Sequence, residues 1–174
     1  MLAHGGDVRV FCRPDADAAV IATIDSYDAL ETREYDYELQ GAVVFARVNG
    51  WYRVRTTGGD YGWIAPDAAG TYFPYGELPV GRLAYLTEEW SGLSWQGPGT
   101  GIPGRTERTT DRRMSEWPVN VIDSKEIAGM PWFQVEILAS DPCSGDNAGP
   151  ARVGWVPGYG RHGNPNVWFY SRGC

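Results

Sequence analysis

Residues 43–66 read VVFARVNGWYRVRTTGGDYGWIAP, and this stretch decides the fold. The dipeptide Asn49-Gly50 separates two β-prone runs, and it is the strongest short signal for a hairpin because both turn positions need a positive φ. Residues 51–55 then alternate in character, which is typical of a half-buried strand. A second turn at residues 57–60 leads to a third short strand, which Pro66 ends. The stretch therefore predicts a three-stranded antiparallel meander.

The same plan recurs in the second half of the chain. Residues 119–122 are predicted to form one strand, residues 124–130 a longer connection, and residues 131–138 a second strand. A longer loop follows, after which Gly154-Trp155 matches Gly62-Trp63 of the first copy. An ordered recurrence over about 80 residues is too long for a solenoid repeat and fits a duplicated small domain.

The parts upstream of the two meanders correspond more weakly. Val8–Phe11 leads to Pro14, and Leu83–Leu86 leads, after an insertion, to Pro98. On this alignment Leu83–Leu86 is the expected counterpart of Val8–Phe11.

Glycine and proline are frequent in the chain, whereas strong helix formers rarely stand in uninterrupted stretches. Short apolar runs bounded by such turn residues favour an all-β fold. Glycine, proline and short side chains also gather near residues 76–82. We therefore expect two tandem domains, residues 1–77 and residues 78–174.

Short motifs around the Gly-Trp dipeptides are typical of one known family. Residues 50–56 (GWYRVRT) and 59–64 (GDYGWI) carry a Gly-Trp-aromatic-x-Val strand followed by a Gly-Trp-aliphatic strand. Residues 8–14 (VRVFCRP) fit the opening strand of the same family. The second copy holds the pattern at residues 132–135 (WFQV) and 154–156 (GWV). On these motifs the chain resembles a tandem pair of bacterial Src-homology-3 (SH3b-like) domains.

The resemblance implies a five-stranded, partly open SH3-like barrel for each copy, with longer loops in the second. It also implies a setting in the bacterial envelope or among secreted proteins, where such modules bind peptidoglycan or a protein partner. The ligand itself is not implied, because ligand-contacting loops vary most among proteins that share a fold.

The overall charge of the chain is −7. Binding to a nucleic-acid backbone requires clustered lysine and arginine, so nucleic acid is not expected as a partner. The one basic stretch, residues 105–113, also holds Glu107 and Asp111 and is interpreted as a solvated loop. No apolar run is long enough to cross a membrane, so no membrane insertion is expected.

Two of the three cysteines are placed to form a disulfide. Cys143 lies in a predicted loop and Cys174 is the last residue, so a bond between them would close a loop worth roughly 3 kcal/mol. The alternative is that both are free thiols. A disulfide would indicate a periplasmic or secreted protein whose leader is absent from this sequence. Cys12 follows an apolar run and is expected to be a small buried core residue.

The sequence offers little for catalysis. The two histidines, His4 and His162, lie in a terminal segment and a loop, away from any recognisable nucleophile or metal motif. Asp141, Asp146 and Asn147 fit no standard calcium loop. We therefore expect a noncatalytic protein without metal or cofactor.

Tryptophan and tyrosine are abundant and suit surfaces that bind peptides or sugars, because each joins a large apolar area to a polar edge. Trp63 and Trp155, each after a glycine on a strand, are expected in the core. The candidate ligand-contacting residues are Tyr35, Tyr37, Trp51, Trp90 and Trp95.

Two functions are consistent with these features. The first is a noncatalytic binding module of the cell envelope, which recognises peptidoglycan or a protein segment in an aromatic groove. The acidic side chains of the chain would favour a ligand with basic groups. The alternative is a structural tandem-barrel subunit or spacer, whose grooves are filled and which mediates assembly.

Overall fold

A computed structural model describes residues 2–3, 7–25, 29–36, 38–105, 117–140, 142 and 149–169. These residues form antiparallel strands and contain no α-helix, so the predicted all-β fold class is confirmed. The chain divides into two compact units, Met1–Pro74 and Tyr75–Cys174. That these units are SH3-like domains with the boundaries 1–77 and 78–174 stays a prediction.

The described part of the first unit contains two antiparallel sheets. One has the strand order β3-β2-β8-β7-β6 and the other the order β4-β5-β1-β9. The strands are β1 (Leu2–Ala3), β2 (Val8–Phe11), β3 (Val20–Ile24), β4 (Thr32–Asp36), β5 (Leu39–Ala42), β6 (Ala46–Val48), β7 (Trp51–Arg55), β8 (Tyr61–Ile64) and β9 (Thr71–Tyr72).

The predicted meander is confirmed as strands β6, β7 and β8 of the five-stranded sheet. Asn49 and Gly50 join β6 to β7 with φ values of 49° and 83°, as the Asn-Gly signal requires. Along β7 every second side chain is buried. The sheet therefore has one face toward the core and an outer face that carries Trp51, Arg53 and Arg55.

The inner face of this sheet packs into the core of the first unit. Full burial of an aliphatic side chain contributes roughly 1.5–3 kcal/mol, so this cluster is the main stabilising element of the unit. Its buried members are Val8, Val10, Ile24, Leu30, Ala42, Tyr52, Val54 and Ile64.

The chain crosses from one sheet of the first unit to the other between β5 and β6. β5 pairs with β1 through Leu2 and Ala42, whereas β6 pairs with β7. In the linking residues the amide of Val43 donates to the carbonyl of Glu31 at 2.9 Å, and the amide of Phe45 donates to the carbonyl of Arg53 at 2.8 Å. β5 and β6 thus act as the two halves of one bent strand.

The described part of the second unit contains a five-stranded antiparallel sheet in the order β15-β14-β13-β10-β16 and a hairpin of β11 and β12. Its buried core includes Leu86, Val119, Phe133, Val135 and Ile137. The strands are β10 (Leu83–Leu86), β11 (Leu93–Ser94), β12 (Gly104–Arg105), β13 (Trp117–Ile127), β14 (Met130–Leu138), β15 (Pro150–Pro157) and β16 (Val167–Trp168).

The connection predicted at residues 124–130 is wrong, because β13 continues to Ile127 and turns at once into β14. Ala128 and Gly129 form this tight turn with φ values of 52° and 77°. A register shift between Val121 and Asp123 interrupts the alternation of β13 and hides its true length in the sequence.

With β5 and β6 counted as one bent strand, the two units share the order of five strands. In the second unit β10, the first strand, lies between the last strand β16 and the long strand β13, which continues into β14 and β15. In the first unit β1 lies between β9 and β5, and β6 continues into β7 and β8. No sheet among the described residues closes into a barrel. The SH3-like barrel therefore stays a prediction for both units.

Candidate functional site

The aromatic residues predicted to bind ligand in the first unit have separate partners. Tyr35 lies on β4, half-buried, and its ring stacks on that of Phe73 at 5.0 Å. Trp51 begins β7 in the other sheet and contacts Phe11 edge-on. Tyr37 lies outside the described residues. Tyr35 and Trp51 therefore belong to different sheets.

The predicted residues of the second unit differ in exposure. Trp90 belongs to the packed interior: it is 3% exposed and its indole N–H donates to the carbonyl of Leu93 at 2.8 Å. A ligand cannot reach it without displacing the core, so it leaves the set of surface candidates. Trp95 is half-buried and meets Trp132 edge-to-face.

Trp95 belongs to a framework that occurs in both units. Phe11 pairs with Trp63 and makes an edge contact with Trp51 at 5.3 Å and 87°. In the second unit Trp95 pairs with Trp155 and contacts Trp132 at 5.4 Å and 89°. Trp95 therefore takes the place of Phe11.

This equivalence corrects the upstream alignment. The counterpart of β2 is the segment that ends at Trp95, not Leu83–Leu86, because β10 pairs with β13 and β16 rather than with β15. With Trp95 matched to Phe11, Pro98 matches Pro14 without any insertion.

Two glycines let these segments approach the Gly-Trp strands. A Cβ on Gly62 would lie 3.1 Å from the carbonyl oxygen of Phe11 and closer still to Val10. A Cβ on Gly154 would lie 2.9 Å from the Cβ of Ser94. Packing thus requires a glycine before Trp63 and before Trp155. Trp155 is 5% exposed as expected for the core, whereas Trp63 is only half-buried.

Two exposed aromatic rings of the first unit lie beside this framework. Phe45 and Tyr61 are 39% and 41% exposed, and their rings meet edge-to-face at 5.3 Å. Arg53 and Arg55 project from β7 on the same side. These four residues are called the arginine–aromatic face.

The two guanidinium groups of the face rest on its rings. Arg53 lies 4.3 Å above the ring of Tyr61, and Arg55 lies 5.2 Å above that of Phe45. Such cation–π contacts stabilise exposed positions by about 0.5–1 kcal/mol each. The rings therefore restrict the two cationic side chains on the outer face of the sheet.

A carboxylate is already bound at one side of the face. Arg55 Nε donates to Glu31 Oε2 at 2.5 Å, and its Nη2 also contacts this oxygen. The backbone supports the pair, because the amide of Glu31 donates to the carbonyl of Arg55 at 2.8 Å. The hydrogen bond to Glu31 raises the pKa of Arg55 above its ordinary value, against a smaller effect of burial.

The second unit does not repeat this face. Its strand register aligns Gln134 with Trp155 and Glu136 with Val153, as Arg53 is aligned with Trp63 and Arg55 with Tyr61. Gln134, Glu136 and Val153 thus replace Arg53, Arg55 and Tyr61. Since the same framework folds without arginine or tyrosine at these positions, the fold does not require the face.

The sequence alone predicts part of the arginine–aromatic face. Trp51, Arg53 and Arg55 alternate with buried residues, which places both arginines on the outer side of β7. Phe45 could not be found in this way, because it precedes β6 in the irregular link from β5.

The predictions made for the cysteines and for His162 can be compared with the structure. Cys12 is exposed rather than buried, because β2 ends at Phe11 and Cys12 lies just beyond the strand. The predicted disulfide between Cys143 and Cys174 lies outside the described residues. His162 is exposed in a turn, as its loop position suggested.

Across the part of the chain that the structure describes, no group of three or more His, Cys, Asp or Glu side chains is placed to hold a metal ion. Nor does that part contain a helix with the length and apolarity needed to span a membrane.

Comparisons with known proteins add no assignment. No family model, no curated protein and no solved structure matches the chain. The resemblance to bacterial Src-homology-3 domains therefore rests on the short motifs of the sequence alone.

Proposed function

We propose that the protein is a noncatalytic binding module of the bacterial cell envelope, which recognises peptidoglycan or a protein segment through the arginine–aromatic face of its first unit. The observation that carries the proposal is the contrast between the units: the shared framework has Arg53, Arg55 and Tyr61 in one unit and Gln134, Glu136 and Val153 in the other. Residues that the fold does not need are available for a function.

The composition of the face supports binding. Tyrosine, tryptophan and arginine dominate the energetics of recognition surfaces, because they combine large contact areas with directed hydrogen bonds. Trp51 and Trp63 border the face and are half-buried. One side of the Tyr35 ring, by contrast, is covered by the stacked ring of Phe73.

The envelope setting rests on the family resemblance. The order of strands common to both units, with β5 and β6 counted as one bent strand, supports the tandem arrangement that this resemblance implies. A periplasmic or secreted location and the disulfide between Cys143 and Cys174 belong to the same proposal.

A structural role is the second candidate, and the second unit favours it. Trp90, Trp155 and Trp168 are each less than a tenth exposed, so much of its aromatic content serves packing. If the whole protein is a spacer, replacing exposed residues of the arginine–aromatic face leaves its retention by envelope components unchanged.

Co-sedimentation with purified peptidoglycan sacculi, together with retention of envelope proteins on the immobilised protein, tests the proposal. The informative variant combines Arg53→Gln and Tyr61→Val, which installs the residues of the second unit. We expect retention to fall by about tenfold, the equivalent of roughly 1.4 kcal/mol.

The matched control combines Arg161→Gln and Val153→Ala, which removes an exposed arginine and an exposed apolar side chain from the second unit. It should bind as the unaltered protein does. Absence of retention by sacculi and by envelope proteins, or equal loss in both variants, would contradict the proposal.

A further inference from the structure

We infer that the arginine–aromatic face docks an acidic peptide segment of a partner protein, with its carboxylates on Arg53 and Arg55 and its apolar or aromatic side chains on Phe45 and Tyr61. The inference rests on the proposed function and names the ligand class of the same surface. It replaces, at this surface, the basic ligand that the overall charge of the chain suggested.

The geometry of the Glu31–Arg55 pair shows the recognition mode. Oε2 of Glu31 accepts a hydrogen bond from Nε of Arg55 and also forms an ion-pair contact with Nη2, so the pair is charge-assisted. Glu31 lies at one end of the face and leaves the other end, at Arg53, to a carboxylate from outside the chain.

The side chain of Arg53 is preorganised to bind a carboxylate. Its guanidinium carbon lies 4.3 Å from the centre of the Tyr61 ring, and this cation–π contact restricts the side chain before a ligand arrives. Holding a long side chain in place before binding lowers the entropy lost when the ligand arrives.

The charge of the two arginines and the exposure of the two aromatic rings favour an acidic peptide as the ligand. The face carries two arginines beside the single carboxylate of Glu31, whereas the whole chain has a charge of −7. The two arginines therefore attract an acidic segment to this face, whereas the net negative charge of the chain opposes nonspecific binding of such a segment. Phe45 and Tyr61, each more than a third exposed, supply apolar area that a small inorganic anion would not use.

Fluorescence anisotropy on the full chain tests the inference. The probes are a labelled synthetic peptide rich in Glu and Tyr and its isostere with Gln in place of every Glu. We expect the acidic peptide to bind about tenfold more tightly than the isostere, and added salt to reduce the difference because it screens exposed charges.

Single substitutions show where on the protein the peptide binds. Arg53→Gln should weaken the acidic peptide by about tenfold and leave the isostere unaffected, whereas Tyr61→Val should weaken both peptides. Arg161→Gln, an exposed arginine of the second unit, is the control and should change neither. Thermal unfolding of each variant checks that the fold is intact.

Equal affinity for the two peptides, or an Arg53→Gln variant that binds the acidic peptide normally, would overturn the inference. If sacculi still depend on the face in that case, the proposed function stands and only the ligand class fails. If neither sacculi, envelope proteins nor either peptide is retained, both fail.

Discussion

At the scale of single residues, close approach between strands explains more of the sequence pattern than side-chain chemistry does. Gly62 and Gly154 each stand where a Cβ would meet the neighbouring segment. The Gly-Trp dipeptide was recognisable as a motif, but its reason was not, because the contact partners Val10 and Ser94 are distant in sequence. The same limit applies to Trp90, whose burial depends on packing that local alternation does not reveal.

Substitution of Gly62 by alanine should destabilise the first unit. The added methyl group meets Val10 and the carbonyl oxygen of Phe11, and such overpacking costs about 1–3 kcal/mol. Gly149→Ala is the control, since a methyl group added there would have no neighbouring heavy atom within 4 Å. Urea unfolding followed by tryptophan fluorescence measures both, and an equal midpoint for the two variants would contradict the packing explanation.

Trp90→Ala should destabilise the second unit by about 3–5 kcal/mol, because it empties a core position and removes the hydrogen bond to Leu93. Trp51→Ala should cost less, since Trp51 is only half-buried. Calorimetric melting compares the two. If the Trp90→Ala and Trp51→Ala proteins were equally stable, the burial of Trp90 would be contradicted and Trp90 would again be a candidate for ligand contact.

At the scale of elements, the sequence predicted hairpins where the turn itself carries a signal. Asn49-Gly50 identified the hairpin of β6 and β7, whereas Ala128-Gly129 gave no comparable signal and β13 was predicted too short. The upstream alignment was wrong for a related reason. The sequence of Leu83–Leu86 is typical of an opening strand, and the equivalence of Trp95 and Phe11 depends on strand pairing that the sequence does not reveal. The arginine–aromatic face depends on the same cross-strand register.

The two tight turns should respond differently to alanine. Gly129→Ala forces a left-handed φ of 77° on a residue with nothing within 4 Å, which costs about 1 kcal/mol. Gly50→Ala has a similar φ of 83° and also brings its Cβ to 3.1 Å from Pro66, so its loss should be larger. Hydrogen exchange of the β6–β7 and β13–β14 amides measures each hairpin separately. A smaller effect at Gly50 would show that Pro66 does not restrict the turn.

At the scale of the whole molecule, one framework appears twice and carries different surfaces. The first unit adds arginine and exposed aromatic rings to it, and the second adds longer strands and buried tryptophans. Composition and charge predicted a binding protein but pointed to a basic ligand, because a chain total of −7 conceals the local excess of arginine at one face. Function is accordingly proposed for the surface in which the copies differ.

The most direct test of binding through the arginine–aromatic face uses the combined Arg53→Gln and Tyr61→Val variant, whose affinity for sacculi and for the acidic peptide is measured beside the unaltered protein. Both substitutions introduce residues that the second unit already uses at equivalent positions, so the fold should be preserved. We predict normal melting with binding reduced by about tenfold or more. Full binding by a normally folded variant would contradict a role for this face.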